Sequence, residues 1–307
     1  MASNEALLSW AEDAKTKGRY AYLLLDGAQN EGSNAWLERL GVEYWSLFDG
    51  HPQASMPEIA PLLIPLGDLQ LEVREKVCQW ALGLGNRAPS LSWLESTQSP
   101  KQTACHLRNF HTVSLSDDQT MLMRWYDTRI LPVWMACLYP DQLQQFTETL
   151  TSMNFLDRFG NVTCLFSTEQ PSPPSIGSVT EKPVIELDDR QFGILMNASE
   201  LDTLLKHLRQ VIKDETSRVP ERELYEFVGK YQQIAADAGV DDLDRQTQYV
   251  LLALYTSGEG VKHPECLKIM ANPPAGIDAF HAAMELLPDE AWALGQPLWQ
   301  RYPDYSK

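Results

Sequence analysis

Histidine, cysteine, aspartate and arginine side chains could carry chemistry in this chain, and their spacing limits what that chemistry is. His106 and His111 lie five residues apart, and Cys105 precedes the first of them. A metal centre or a Cys/His nucleophile would need a third ligand or an orienting carboxylate beside them. A spacing of five does not place two side chains on one face of a helix. We therefore expect structural histidines and predict no metal site.

Two aspartates stand where apparent strands end, a position that carboxylates often occupy in the active sites of α/β folds. Asp26 and Asp49 each precede a glycine, and Asp-Gly is also a common turn pair. A small-molecule hydrolase or transferase would need both to converge with His106 and Arg129 in one pocket. The chain has no G-x-S-x-G, phosphate-loop or H-E-x-x-H motif. We predict a protein that is not an enzyme and has no cofactor, and we keep the hydrolase or transferase as an alternative.

The most informative segment is residues 124–132, RWYDTRILP, where two arginines flank an aspartate. The pattern predicts that Arg124 to Tyr126 end a strand and that Asp127 caps the helix carrying Arg129. A bidentate Arg–Asp pair that fixes this junction, with Arg108 as another partner for Asp127, is one interpretation. Arginines that grip an acidic or carboxylate-bearing partner are the other. The candidate residues for binding a partner or fixing the fold are His106, Arg108, Arg124, Tyr126, Asp127 and Arg129.

The elements that position these residues form a predicted α/β or α+β lobe over residues 1–168. Short apolar runs, typical of buried strands, alternate with stretches of helical spacing. Strands are predicted at 20–25, 42–48 and 62–66, a strand pair at 110–115 and 121–126, and helices around 34–40, 71–84 and 129–150.

A Pro/Ser-rich linker is predicted at residues 169–184, because proline fixes φ and serine and glycine add no core. From residue 185 to 307 the apolar spacing has the helical period, which predicts an all-α lobe. Its helices are expected to begin near Ser199, Pro220, Asp241 and Ile277, and Gly239 is expected to end the second.

The charge balance excludes several classes of partner. The 307 residues include 25 basic and 42 acidic ones, a net charge of −17. Such a protein is repelled by phosphate backbones and anionic lipid, so we expect no nucleic-acid binding. The longest stretch without charged residues, 246–258, is shorter than the roughly 20 apolar residues of a spanning helix, so we expect no membrane insertion. Five widely spaced cysteines without a C-x-x-C pair, and an N-terminus without a basic region, predict a cytoplasmic protein.

Five motifs in order make the first lobe similar to a known family. The segments are 24–28 (LLDGA), 60–66 (APLLIPL), 93–96 (WLES), 106–108 (HLR) and 124–132. Through them the chain resembles the adaptor/chaperone family of type VI secretion effectors, the Tap/Tec proteins, which include VasW-like proteins. Thr128 departs from the pattern, since the family often has proline there.

The resemblance implies a non-enzymatic cytoplasmic adaptor. Such proteins bind one toxic effector, usually through its N-terminal region, and help load it onto the VgrG spike. The resemblance supplies no catalytic residues, and it leaves open whether a co-chaperone takes part. A second alternative is an immunity-type protein that masks a toxin domain, because an acidic surface suits a basic nuclease face.

Overall fold

A region that mixes sheets with helices comes first and a region of helices follows it, which confirms the predicted fold class. The main sheet is antiparallel at every pairing, so the α+β alternative describes the first region. The computed structural model describes residues 3–117, 119–169 and 185–303.

The chain divides into two compact units, Met1–Met196 and Asn197–Lys307. The predicted helical lobe starts earlier, at residue 185. The difference arises because Ile185–Leu187 is a strand that pairs with a strand of the first unit. Nearly all of the predicted linker, residues 170–184, lies outside the described residues.

The main sheet of the first unit is built around a buried apolar strand. Its strands are β1 (Tyr20–Asp26), β2 (Trp45–Ser46), β3 (Pro61–Pro65), β4 (Leu91–Ser96), β7 (Leu150–Leu156) and β8 (Val162–Ser167), in the order β2-β3-β1-β4-β7-β8. Every residue of β1 after the first is buried, as a continuous apolar run predicts for a strand covered on both faces. The strand predicted at 42–48 shrinks to β2, because only two of its residues pair with β3.

A small sheet completes the first unit and carries the segment that leads to the candidate residues. It consists of β5 (Thr112–Leu115), β6 (Thr120–Leu122) and β9 (Ile185–Leu187). β5 and β6 form the predicted antiparallel pair, while β9 lies parallel to β5. β6 ends at Leu122, so the prediction that Arg124 to Tyr126 end the strand is wrong.

The helices of the first unit are α1 (Asn4–Thr16), α2 (Ser33–Arg39), α3 (Leu71–Gly85), α4 (Pro100–Arg108), α5 (Leu131–Cys137) and α6 (Pro140–Thr147). The helices predicted at 34–40 and 71–84 are confirmed as α2 and α3. The single helix predicted over 129–150 is wrong. Tyr139 is extended and Pro140 starts a new helix there, since proline fits a first turn but not a helix interior. Leu150 already belongs to β7.

The second unit is helical, and α7 runs into it from the first. The helices are α7 (Asp189–Val211), α8 (Lys213–Thr216), α9 (Glu221–Asp237), α10 (Leu243–Thr256), α11 (Pro264–Ala271), α12 (Ile277–Glu285) and α13 (Asp289–Ala293). The predicted start at Ser199 is wrong, because α7 begins ten residues earlier in the chain, at Asp189. The predicted stop at Gly239 is confirmed, since this residue has φ +83° just beyond α9. Within residues 3–117, 119–169 and 185–303, every helix is too short or too polar to span a lipid bilayer.

Candidate functional site

The loop between β6 and α5, residues 123–130, carries four of the six candidate residues. It is a hydrogen-bonded turn: the Asp127 amide donates to the Arg124 carbonyl at 3.0 Å, and the Asp127 carbonyl accepts from Ile130 at 2.9 Å and Leu131 at 2.8 Å. Because α5 begins at Leu131, Arg129 precedes the helix. The prediction that Asp127 caps a helix carrying Arg129 is therefore wrong.

Asp127 instead holds Arg129 through a bidentate pair. The buried carboxylate accepts from Nε and Nη2 of Arg129 at 3.0 and 2.7 Å and from its backbone amide at 3.1 Å. Charge-assisted pairs with this two-point geometry fix orientation as well as add energy. The expected bidentate pair thus exists, but Arg108 is not the arginine that forms it.

Arg124 is anchored across the fold by Asp26, which the sequence analysis placed in an Asp-Gly turn, in the LLDGA motif and in the hydrolase alternative, but not as a partner of an arginine. Asp26 is fully buried at the end of β1, and its carboxylate accepts from the Ala28 amide at 3.0 Å and from Gln29 at 3.2 Å. Nη2 of Arg124 donates to it at 2.7 Å. Burial raises the pKa of the Asp26 carboxyl, while Arg124 opposes that rise. The ion pair therefore joins the first strand to the loop, nearly one hundred residues away in sequence.

The carbonyl group of Pro89 also connects the segment after β1 with the loop between β6 and α5. The Pro89 oxygen accepts from the Gln29 side chain at 2.9 Å and from the Thr128 amide at 3.3 Å. A proline at position 128 could not donate this bond, because it has no amide hydrogen. Thr128 therefore supplies a backbone donor that proline would lack at this position.

The two aromatic residues of the motif face inward. Trp125 and Tyr126 are buried, and their ring centroids lie 5.8 Å apart. His111 packs 5.3 Å from Tyr126, and Phe146 packs edge-on 5.1 Å from Trp125. Burial raises the pKa of the Tyr126 hydroxyl. Tyr126 is therefore a core residue that supports the loop from below.

Arg108 and His106 are fixed elsewhere on the first unit. Arg108 donates from Nε and Nη2 to the Ser46 carbonyl at 3.0 and 2.6 Å, and from Nη2 to exposed Asp49 at 2.6 Å. These bonds tie α4 to β2.

His106 Nε2 lies 2.9 Å from the Phe146 carbonyl, and Nδ1 lies 3.7 Å from Glu148. Burial lowers the pKa of this histidine. Its ring also packs 5.2 Å from that of Phe110, which contacts Phe146 in turn. His106 therefore lies at one end of a cluster of aromatic rings whose other end is Tyr126. The rings between them are Phe110, Phe146 and Trp125.

The four residues of the hydrolase alternative take different partners. Asp26 and Arg129 share one network, because Arg124 Nη2 lies 2.7 Å from Asp26 and 3.8 Å from Asp127. Asp49 binds Arg108 and His106 binds the Phe146 carbonyl, as given above. Among the described residues there is also no group of three or more His, Cys, Asp or Glu side chains placed to hold a metal ion.

Two guanidinium groups remain accessible above this framework. The side chains of Arg124 and Arg129 are 39% and 29% exposed, whereas Asp26 and Asp127 beneath them are buried. Fixed arginines at a surface can donate to carboxylates or phosphates of a partner. We call residues 123–130 the arginine loop. Its two partly exposed arginines are held in place by buried side chains beneath them.

Residues 21–145 match the family described as "Domain of unknown function (DUF4123)". The DUF4123 match spans β1 to α6 and contains all six candidate residues. It also contains Asp26, Gln29 and Pro89, so the residues that form the hydrogen-bond network around the arginine loop, described above, lie inside the match. Neither the curated proteins nor the solved structures contain a match to the chain. Gln29 and Pro89 had no sequence signal of their own apart from their nearness to the LLDGA and WLES motifs.

Proposed function

We propose that this protein is a non-enzymatic adaptor that binds a type VI secretion effector in the cytoplasm and helps load it onto the VgrG spike. The observation that carries the proposal is the position of the DUF4123 match, residues 21–145. This span holds the five ordered motifs through which the chain resembles the effector adaptor family. The match itself names only a domain of unknown function, so the role comes from the resemblance.

The arginine loop is the surface that we assign to the effector. Arg124 and Arg129 are held by buried carboxylates and by a loop that the aromatic core supports, so little side-chain freedom is lost when they bind. Pre-organisation of this kind lowers the entropic cost of association. Arginine is also enriched among the residues that dominate binding energy at interfaces.

Co-purification with the product of the adjacent gene, taken as the candidate effector, tests the proposal. Tagged effector, its N-terminal region alone and its toxic domain alone are each co-expressed with the chain, captured and run on size-exclusion chromatography. We expect a stable complex with the whole effector and with its N-terminal region, and capture of VgrG when it is added. Binding to the toxic domain alone would favour an immunity protein. Failure to bind the effector and VgrG would refute the adaptor role.

Neutral variants test the arginine loop itself. Arg124→Gln and Arg129→Gln should weaken effector binding about tenfold or more, since charged hydrogen bonds at interfaces contribute about 1.5–3 kcal/mol. Arg39→Gln, at an exposed position on α2, is the matched control and should bind like the wild type. Circular dichroism and thermal unfolding show whether each variant folds. Folded loop variants with unchanged affinity would assign these arginines to the fold alone.

A further inference from the structure

The second unit presents large apolar side chains to solvent at the end of α12 and around α13. Leu286 is 84% exposed, Leu294 is 40% exposed and Trp292 is 38% exposed, all within nine residues of chain. Single exposed apolar residues are ordinary, but a group of them marks an interaction surface more often. Leu286 is the most exposed of the large apolar residues in the described part of the chain.

The same segment carries only negative charge. Between Lys268 and Arg301 the sequence contains no lysine or arginine. Its four acidic residues are exposed, and none forms an ion pair among the described residues. By contrast, several other acidic residues of this unit do have basic partners, as Glu221 has Arg209. The four acidic residues are Asp278, Glu285, Asp289 and Glu290.

The backbone of this segment is held in place by buried residues of the helical unit. Leu287 and Ala291, between the exposed residues, are buried in the core of the helical unit. Gly260 approaches the Ala291 backbone so closely that a Cβ atom at residue 260 would lie 2.5 Å from the Ala291 carbonyl oxygen. The exposed side chains therefore project from an anchored backbone.

We propose that the stretch 278–294, which we call the acidic–apolar face and which presents Leu286, Trp292, Leu294 and the four carboxylates to solvent, docks a polypeptide segment bearing both basic and apolar side chains. The apolar residues supply contact area, and the uncompensated carboxylates select lysine or arginine on the partner. A second copy of this face, or an anionic lipid surface, would bring like charges together. The face lies outside residues 21–145, so the inference does not depend on the proposed adaptor role.

Fluorescence anisotropy on the full chain tests this face with a labelled amphipathic peptide of leucine and lysine. A peptide of the same length made of leucine and glutamate controls for apolar contact alone. We expect the lysine peptide to bind, the glutamate peptide not to bind, and the affinity of the lysine peptide to fall steeply when salt is raised to about 0.5 M.

Matched variants separate a defined face from general attraction to an acidic protein. Leu286→Ser should weaken binding of the lysine peptide about fivefold to tenfold, and Asp289→Asn/Glu290→Gln about twofold to fivefold. The controls are Leu71→Ser and Glu72→Gln/Glu75→Gln, which change exposed residues of the same kinds on α3 and should leave the affinity unchanged.

Two results would overturn the proposal. One is an equal loss of affinity for the lysine peptide in the α3 controls and in the variants of the acidic–apolar face. That result would mean that the net charge of the protein, and not this face, accounts for binding. The other is a change in sedimentation of the free chain from dimer to monomer on Leu286→Ser, which would make a second copy the occupant. Because Leu286 is so exposed, the variant should fold, and circular dichroism checks that it does. Effector binding is measured separately, so failure here leaves the adaptor proposal standing.

Discussion

Gly27 follows Asp26 directly and lies so close to a neighbouring segment that no side chain fits. A Cβ atom at this position would be 2.2 Å from the Ala60 carbonyl oxygen. The position of a Cβ atom is fixed by the backbone, and the Ala60 oxygen is itself a backbone atom, so rotating a side chain cannot relieve the clash. The LLDGA and APLLIPL motifs therefore meet here, and glycine is required where they touch.

We expect Gly27→Ala to lower the free energy of unfolding by about 2 kcal/mol, as overpacking of a tight site does. Gly83→Ala is the control: Gly83 lies inside α3, with open space around its would-be Cβ. That variant should gain about 0.5–1 kcal/mol, because alanine is the better helix former. Urea unfolding measures both, and a Gly27→Ala protein as stable as the wild type would contradict the close approach.

His111 is a buried titratable residue inside the aromatic cluster. Neither ring nitrogen has a hydrogen-bond partner within the described part of the chain. Burial, followed by the charges of His51 and Arg108, lowers its pKa to about 3. Unfolding would return the imidazole to water, where it binds a proton near pH 6.5.

The stability that neutral His111 contributes should therefore be complete above about pH 6.5 and be lost as the pH falls towards 3, with a slope of at most about 1.4 kcal/mol per pH unit. Asp26 acts in the opposite sense: its pKa is raised in the folded state, so its contribution is present at low pH and is lost as the pH rises. The slope of the unfolding free energy with pH also contains the contributions of His106 and of carboxyl groups such as Asp242, whose pKa values are lowered as well.

His111→Phe removes one of these titrations and keeps an aromatic ring in the cluster. We expect a flatter decline of unfolding free energy between about pH 6.5 and pH 4 than in the wild type. Urea titrations at several pH values give the comparison directly. An unchanged slope would mean that His111 does not stay neutral in the folded protein.

At the scale of elements, the start of α7 shows how a helix is attached to the first unit. The Asp188 carboxylate accepts from the backbone amide of Gln191 at 2.8 Å, and Oε1 of the Gln191 side chain accepts from the backbone amide of Asp188 at 3.2 Å; the two bonds form a reciprocal cap. Nε2 of the buried Gln191 side chain also donates to the Cys137 carbonyl at 2.9 Å and to the Gln142 side chain at 2.7 Å. One side chain thus caps α7 and binds it to α5 and α6.

Gln191→Ala should cost about 1–3 kcal/mol, since it leaves the buried Cys137 carbonyl unpaired and removes the cap. We expect amide hydrogen exchange to quicken in β9 and the first turns of α7 more than in β1 and β4. Gln210→Ala, at an exposed site on the same helix, is the control and should change neither. Equal acceleration across the whole first unit would contradict a local anchor.

Local sequence patterns predicted some of these elements well and others badly, for physical reasons. A continuous apolar run is enough to specify β1, and a helical stripe with a terminal glycine is enough to specify α3 and the end of α9. β9 has only three residues, and its partner, β5, lies far away in the chain. No local pattern can reveal such a pairing, so residues 185–187 were wrongly grouped with the helices.

The candidate site shows the same limit for side chains. Residue types predicted that an arginine and an aspartate would pair near residue 127, and they do. The choice among partners was beyond sequence, because Arg108 turns towards Asp49 and Ser46 while Asp26 comes from the first strand to hold Arg124. Tertiary packing, not spacing, decides which charges meet.

At the scale of the molecule, the described residues form two hydrophobic cores. One is centred on the main sheet and contains Leu24 and Val77. The other is centred on α10 and contains Leu252 and Val250. α7 contributes to both, with Leu195 in the first core and Leu204 and Leu205 in the second. Separate cores allow separate cooperative unfolding, since stability is not uniform across such a chain.

Two matched substitutions test that separation. Val77 in α3 and Val250 in α10 are both fully buried helical valines, one in each core, so Val77→Ala and Val250→Ala each remove the same atoms at a cost of about 1–3 kcal/mol. We expect Val77→Ala to speed amide exchange in β1, β3 and β4 and to leave α9 and α10 unchanged. Val250→Ala should do the reverse. Faster exchange in both regions for either variant would show that the two cores unfold as one cooperative unit.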